Sequence, residues 1–192
     1  MAKPPDIGVA YFYFDYRNHR QRAGDFVRCI LKQLLHQLPQ LPQEIDKEYE
    51  AWDKGGRKSK PDGDKFVILT ISCAKKFKKG TFVIVDALDE CLERLEEDKV
   101  IAYLKSLYAA GIRLFITTRP HILDELDLRA VFAKAKIVEI SAKDDDVETY
   151  LRKRLSQERW TKGIPGKLKA DIIERIKSAA VGMYRISQFA TY

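Results

Sequence analysis

The 192 residues include only three cysteines, Cys29, Cys73 and Cys91, and no C-x-x-C pair. An odd, scattered set builds neither a disulfide framework nor a zinc knuckle, so reduced thiols and a cytoplasmic location are expected. The chain also lacks any apolar run near the ~18 residues of a membrane helix, and no apolar signal region follows Met1-Ala2-Lys3-Pro4-Pro5-Asp6. No G-x-S-x-G nucleophile elbow occurs. His19, His36 and His121 are too far apart in sequence to suggest a metal site. What remains is ordinary globular material: 45% hydrophobic, 33% charged and 10% aromatic residues exclude disordered, collagen-like and disulfide-scaffold classes. The length sets an expectation of one domain, with room for a small appendage.

The net charge of +7 is uneven. Residues 1–80 carry 16 basic against 10 acidic side chains, residues 81–141 carry 8 against 11, and residues 142–192 carry 11 against 7. In the basic segments acids are interleaved, as around Arg152-Lys153-Arg154, which points to a solvated helix face rather than nucleic-acid binding.

Periodicity divides the chain into strands and helices. Gly8-Val9-Ala10-Tyr11-Phe12-Tyr13-Phe14 has no helical polar face and reads as a strand. Phe26, Ile30, Leu31, Leu34, Leu35 and Leu38 recur at helical spacing until Pro39. A charged helix around Ile45, Tyr49 and Trp52 leads to a loop at Gly55-Gly56-Arg57-Lys58-Ser59-Lys60-Pro61. The apolar positions of 62–78 continue for longer than a strand allows and predict a buried helix. From residue 80 the alternation is clean: strand 81–85, helix 93–109 stopped by Gly111, strand 112–117, a short helix within 120–133, and strand 136–140. Helices are expected over 144–160 and 166–180 and from Gly182. Strands apolar on both faces that alternate with helices predict an α/β fold, a parallel sheet covered by helices. The boundary between an α/β domain, 1–142, and a helical region, 143–192, is placed behind the last of these strands.

Two strand ends carry chemistry. Phe82-Val83-Ile84-Val85-Asp86-Ala87-Leu88-Asp89-Glu90-Cys91 places Asp86 in the first position after a buried strand, where a parallel sheet opens its ligand crevice. Magnesium takes oxygen ligands and keeps several waters, so one fixed carboxylate suffices where nucleotide phosphates supply the rest. Asp89 and Glu90 lie about one turn on, within reach of a water. The competing structural reading makes Asp86 a cap and the later acids helix-N-terminal residues. Thr117-Thr118-Arg119-Pro120 likewise offers hydroxyls and a guanidinium beyond a strand, or an ordinary turn.

Together, Asp86-Ala87-Leu88-Asp89-Glu90-Cys91, then Thr117-Thr118-Arg119-Pro120, then Gly182-Met183-Tyr184 resemble the NACHT nucleoside-triphosphatase domain. More narrowly, the chain is similar to the fungal nephrocystin-3-like N-terminal form within the STAND class of signalling ATPases. Phe14-Asp15-Tyr16-Arg17 and the helix around Phe26 add to the likeness. The resemblance implies a nucleotide-dependent switch using Mg2+ and ATP or GTP. It makes Asp86 the metal-binding residue, Asp89 or Glu90 the catalytic acid, Arg119 the sensor arginine, and Thr117 and Thr118 cofactor-side hydroxyls. It implies that 182–192 lead towards a winged-helix segment, and that partners are other protein chains, effector or repeat domains, or further copies. Membrane and nucleic-acid partners are not implied.

One element of the family is missing from these residues. A phosphate loop needs G-x-x-x-x-G-K-[ST], because glycine amides must approach the phosphates while lysine and a hydroxyl meet the oxygens and the metal. Neither Gly55-Gly56-Arg57-Lys58-Ser59 nor Gly166-Lys167-Leu168 has that spacing. The resemblance therefore implies a four-stranded partial sheet with its central phosphate-loop strand absent, and a gap is expected between the strands at 112–117 and 136–141. Such a chain is expected not to hydrolyse nucleotides and to act through protein contacts. The other readings are an active domain whose loop lies upstream or on another chain, and a purely structural interaction module.

Overall fold

The computed structural model describes residues 5–18, 21–54, 62–91, 94–140, 144–157, 163–180 and 186–190. Their order is β1 Gly8–Tyr13, α1 Ala23–His36, α2 Gln43–Lys54, α3 Gly63–Ala74, β2 Thr81–Asp86, α4 Arg94–Ala109, β3 Arg113–Thr118, α5 Pro120–Glu125, α6 Leu128–Val131, β4 Lys136–Ile140, α7 Asp144–Gln157, α8 Gly166–Ala180 and β5 Ile186–Ala190. Among the described residues no helix is long and apolar enough to cross a membrane. The fold is α/β, as the alternation predicts. The helix expected within 120–133 is broken in two at Asp127, whose φ is +47°.

Two compact units emerge, Met1–Ile137 with Gln188–Tyr192, and Val138–Ser187. In the first, β1, β2 and β3 are parallel, with Gly8 opposite Thr81 and Phe82 opposite Arg113. Each connection steps in the same direction across the sheet, so right-handed crossovers put their helices on one face. Ala10, Val83, Val85, Leu114 and Ile116 on that face form one core with Phe26, Ile30 and Leu34 of α1, Val67 and Cys73 of α3, and Leu104 and Leu107 of α4. Gly8 belongs to the covered face because it has no side chain: a Cβ there would lie 2.7 Å from the Phe77 ring. Buried Thr81 is satisfied through its hydroxyl, which donates to the Ala74 carbonyl at the end of α3, 3.1 Å away. Helices on both faces are the usual case for a parallel sheet. Here the described helices of this unit pack on one.

The strand order is β1-β2-β3-β5-β4. The expected gap is therefore corrected on two counts: the described residues form five strands, not four, and residues 186–190, expected as helix, supply the strand between β3 and β4. The free edge of a strand such as β3 carries a row of N–H and C=O groups that is costly to leave unpaired in a covered sheet, and a C-terminal segment with β-branched Ile186 and aromatic Phe189 has the strand propensity to answer it. Gly182-Met183-Tyr184 lies outside the described residues.

The outer edge of β1 is closed by side chains. The Gln37 amide accepts from Val9 N–H at 3.0 Å and donates to Val9 C=O at 2.6 Å, and one helical turn earlier Gln33 does the same to Tyr11 at 3.0 and 2.7 Å. Gln21 continues the row, donating to Tyr13 C=O and accepting from Asp15 N–H. An exposed edge is a template for another strand, and here its hydrogen bonds are already taken. Replacing Gln33 with leucine should speed amide exchange at Tyr11 and cost about 1 kcal/mol in urea unfolding. Unchanged exchange at Tyr11 would show that the amide does not guard the edge.

The second unit contains α7 and α8. Lys177 on α8 reaches Glu148 on α7 at 2.8 Å, and Arg152 approaches the same carboxylate at 2.7 Å. Lys177 first, then Arg152, holds the Glu148 carboxyl below its ordinary range. Ile173 is its buried anchor.

Candidate functional site at the carboxyl ends of the parallel strands

Asp86 ends β2 and, by strand alternation, stands on the uncovered face with Phe82 and Ile84. Its neighbour on β3 is Thr117, because Val85 pairs with Ile116. The Thr117 hydroxyl donates to Asp86 Oδ1 and accepts from the Ala87 N–H at 2.9 Å. Ala87 has φ +55° and ψ +50°, a left-handed conformation that costs a residue with a Cβ about 1–2 kcal/mol. That turn reverses the chain into a 3-10 turn at Leu88–Glu90, anchored by fully buried Leu88, and brings Asp89 and Glu90 back to the rim.

Each of these acids ties one strand end to another. Asp89 accepts from Arg119 N–H at 3.3 Å and pairs with its guanidinium, Nε to Oδ2, at 2.9 Å. Asp89 is 10% exposed and Arg119 is 66% exposed, so the carboxylate is fixed while the arginine reaches into solvent. Glu90 Oε2 accepts from Tyr16 N–H at 3.0 Å and so clasps the loop after β1. Beside it Asp15 forms a two-pronged ion pair with Arg17, 2.9 and 2.8 Å, and this holds its carboxyl down at about 2. The surrounding negative charge, Glu90 foremost, raises the Tyr13 phenol above its ordinary value.

Asp86, Thr117, Asp89, Glu90 and Arg119 are thus brought to one rim. Thr118 is not. It points to the opposite face, is 2% exposed beneath the helices, and its hydroxyl has no hydrogen-bond partner among the described residues. In the sequence Tyr16 stands out only within the Phe14-Asp15-Tyr16-Arg17 likeness, because its contribution to the rim is a backbone N–H, which no residue type advertises. Gly55-Gly56-Arg57-Lys58-Ser59 lies outside the described residues. Gly166-Lys167-Leu168 forms the first turn of α8, which runs on as a regular helix.

The rim is acidic. Asp15, Asp86, Asp89 and Glu90 outnumber Arg17 and Arg119, both already paired with two of them. Among the described residues no cation pairs with Asp86, and no group of three or more His, Cys, Asp or Glu could hold a metal by itself. A lone hard carboxylate fits a cation that arrives with waters and phosphates rather than one held in a protein cage. The family model of nephrocystin 3, N-terminal, matches residues 2–119. The chain belongs to that family. No curated protein and no solved structure matches it. The nephrocystin 3 N-terminal match ends at Arg119, so it takes in β1, β2, β3 and all of the rim residues, and leaves β4, β5 and the second unit outside.

Proposed function

We propose that the rim is the metal-facing half of a NACHT-type nucleoside-triphosphate switch of the STAND class, and that this chain acts by protein interaction rather than by turnover. The observation that carries the reading is the Asp86–Thr117 junction at the carboxyl ends of adjacent parallel strands, in a sequence of 192 residues without G-x-x-x-x-G-K-[ST]. Asp86 would hold Mg2+ through water, and the ion would supply charge neutralisation to ATP or GTP phosphates. Glu90 holds the Tyr16 N–H through Oε2, and its carboxylate would orient a water beside the phosphates. Asp89 keeps Arg119 at the rim, and Arg119 supplies a donor fork suited to phosphate oxygens. An acidic rim repels a bare triphosphate, and positioning by a phosphate loop is most of phosphoryl-transfer catalysis.

The chain with magnesium is expected to release no phosphate from ATP or GTP above the buffer rate. Turnover abolished by both Asp86→Asn and Glu90→Gln would overturn this and favour an active domain. Titration with millimolar MgCl2 should shift the amide resonances of Asp86, Ala87 and Thr117, and the shifts should vanish in Asp86→Asn. The structural reading has support of its own, since Asp89 and Glu90 already serve to fasten strand ends. Absence of any magnesium-dependent shift would decide for it.

A further inference from the structure

The uncovered face of β1–β3 is apolar in the middle and oppositely charged at its two ends. Val9, Tyr11, Tyr13 and Phe82 are 43%, 64%, 48% and 38% exposed. Ile84 and Phe115 lie between them, at the same level as Tyr11 by strand register. At the amino end Arg113 lies over the Phe82 ring, 5.0 Å from its centroid, and donates to the Lys79 carbonyl, with no carboxylate partner among the described residues. At the other end stands Asp86, with no cation partner among the described residues. Four residues of strand separate the two levels, about 13 Å.

We propose that this face is an interface with a second copy of the chain, the two sheets stacked face to face about a twofold axis perpendicular to the strands at the level of Tyr11, Ile84 and Phe115. That operation reverses strand direction, so it lays Arg113 of each copy over the Asp86 and Thr117 end of the other, and the apolar middles meet. The charge pattern is therefore complementary to itself, which an isologous contact requires. From their fractional exposure Tyr11, Tyr13 and Phe82 bury roughly 300 Å2 per copy, under half of the ~800 Å2 per partner of a standard interface, so a weak dimer is expected. Strand addition at the β1 edge is not the route, since Gln33 and Gln37 occupy it. The inference does not rest on the nucleotide reading.

Sedimentation equilibrium of the whole chain tests it. A dimer at tens of micromolar is expected. Tyr11→Lys, at a solvent-exposed position beside the axis, should leave circular dichroism and melting temperature unchanged and give a monomer. Arg113→Glu should weaken dimerisation at least tenfold, and the reversed pair Arg113→Glu with Asp86→Arg should recover most of that loss. A monomer at 100 µM, assemblies beyond the dimer, a dimer indifferent to Tyr11→Lys, or a reversed pair no stronger than Arg113→Glu would each overturn the proposal. Magnesium titration of the Tyr11→Lys monomer still reads the rim on its own, so the two proposals fail separately.

Discussion

Phe26→Ala should lower the stability of the first unit by about 3–5 kcal/mol, the range for emptying a buried aromatic site. Phe26 is 0% exposed. Its ring meets Phe12 edge-on at 5.4 Å and Phe14 at 6.1 Å, and those two meet each other at 4.9 Å, so one residue of α1 holds both aromatic positions at the end of β1. Domains of this size are stable by only about 5–15 kcal/mol in total, so the loss is a large part of the whole. It should reach the rim as well, because Phe14 N–H bonds to the Asp86 carbonyl at 3.1 Å. Urea unfolding followed by circular dichroism gives the number. Phe26→Leu, which leaves a smaller void, should cost less, and a loss below about 1 kcal/mol for the alanine variant would show that the aromatic cluster is not a main anchor of α1.

Thr118→Val should act in the opposite direction and stabilise the chain by about 1–3 kcal/mol. Valine has the shape of threonine without the hydroxyl, and burying an unsatisfied hydroxyl costs about that much. Thr118 sits 2% exposed with its oxygen unpartnered among the described residues. A lower melting midpoint for Thr118→Val would mean that the hydroxyl has a partner or a ligand, and would restore it to the site the sequence suggested. Thr117→Val makes the informative contrast: it removes two hydrogen bonds that hold Asp86 and left-handed Ala87, and should destabilise.

Adjacent in sequence, Thr117 and Thr118 have opposite fates, and the sequence could not separate them. A strand sends successive side chains to opposite faces, but which face is covered depends on where the crossovers go. The same limit applied to the glutamines. Gln21, Gln33 and Gln37 look like ordinary polar positions of a helix and its approach. Only the seating of α1 beside β1 turned them into a substitute for a neighbouring strand. Asp89 and Glu90 were visible as acids beyond a strand, yet their partners, Arg119 and the backbone of Tyr16, lie 30 and 74 residues away.

Most elements were legible because local pattern suffices for them. The apolar run 81–85, the 3.6-residue spacing from Phe26 to Leu38 and the long buried stretch 62–78 each specify their element through the surface they must bury. The C-terminal strand was not legible in this way. Ile186-Ser187-Gln188-Phe189-Ala190 is short and has no decisive period, and its state follows from a vacant row of backbone groups on strands far away in sequence. Local pattern thus sufficed for the α/β class, for the order of elements up to α8 apart from the break at Asp127, and for the acids and hydroxyls at two strand ends. Tertiary structure alone decided which sheet face stays open, which threonine reaches the rim and which segment fills the sheet, because these depend on pairings between residues that no local window contains.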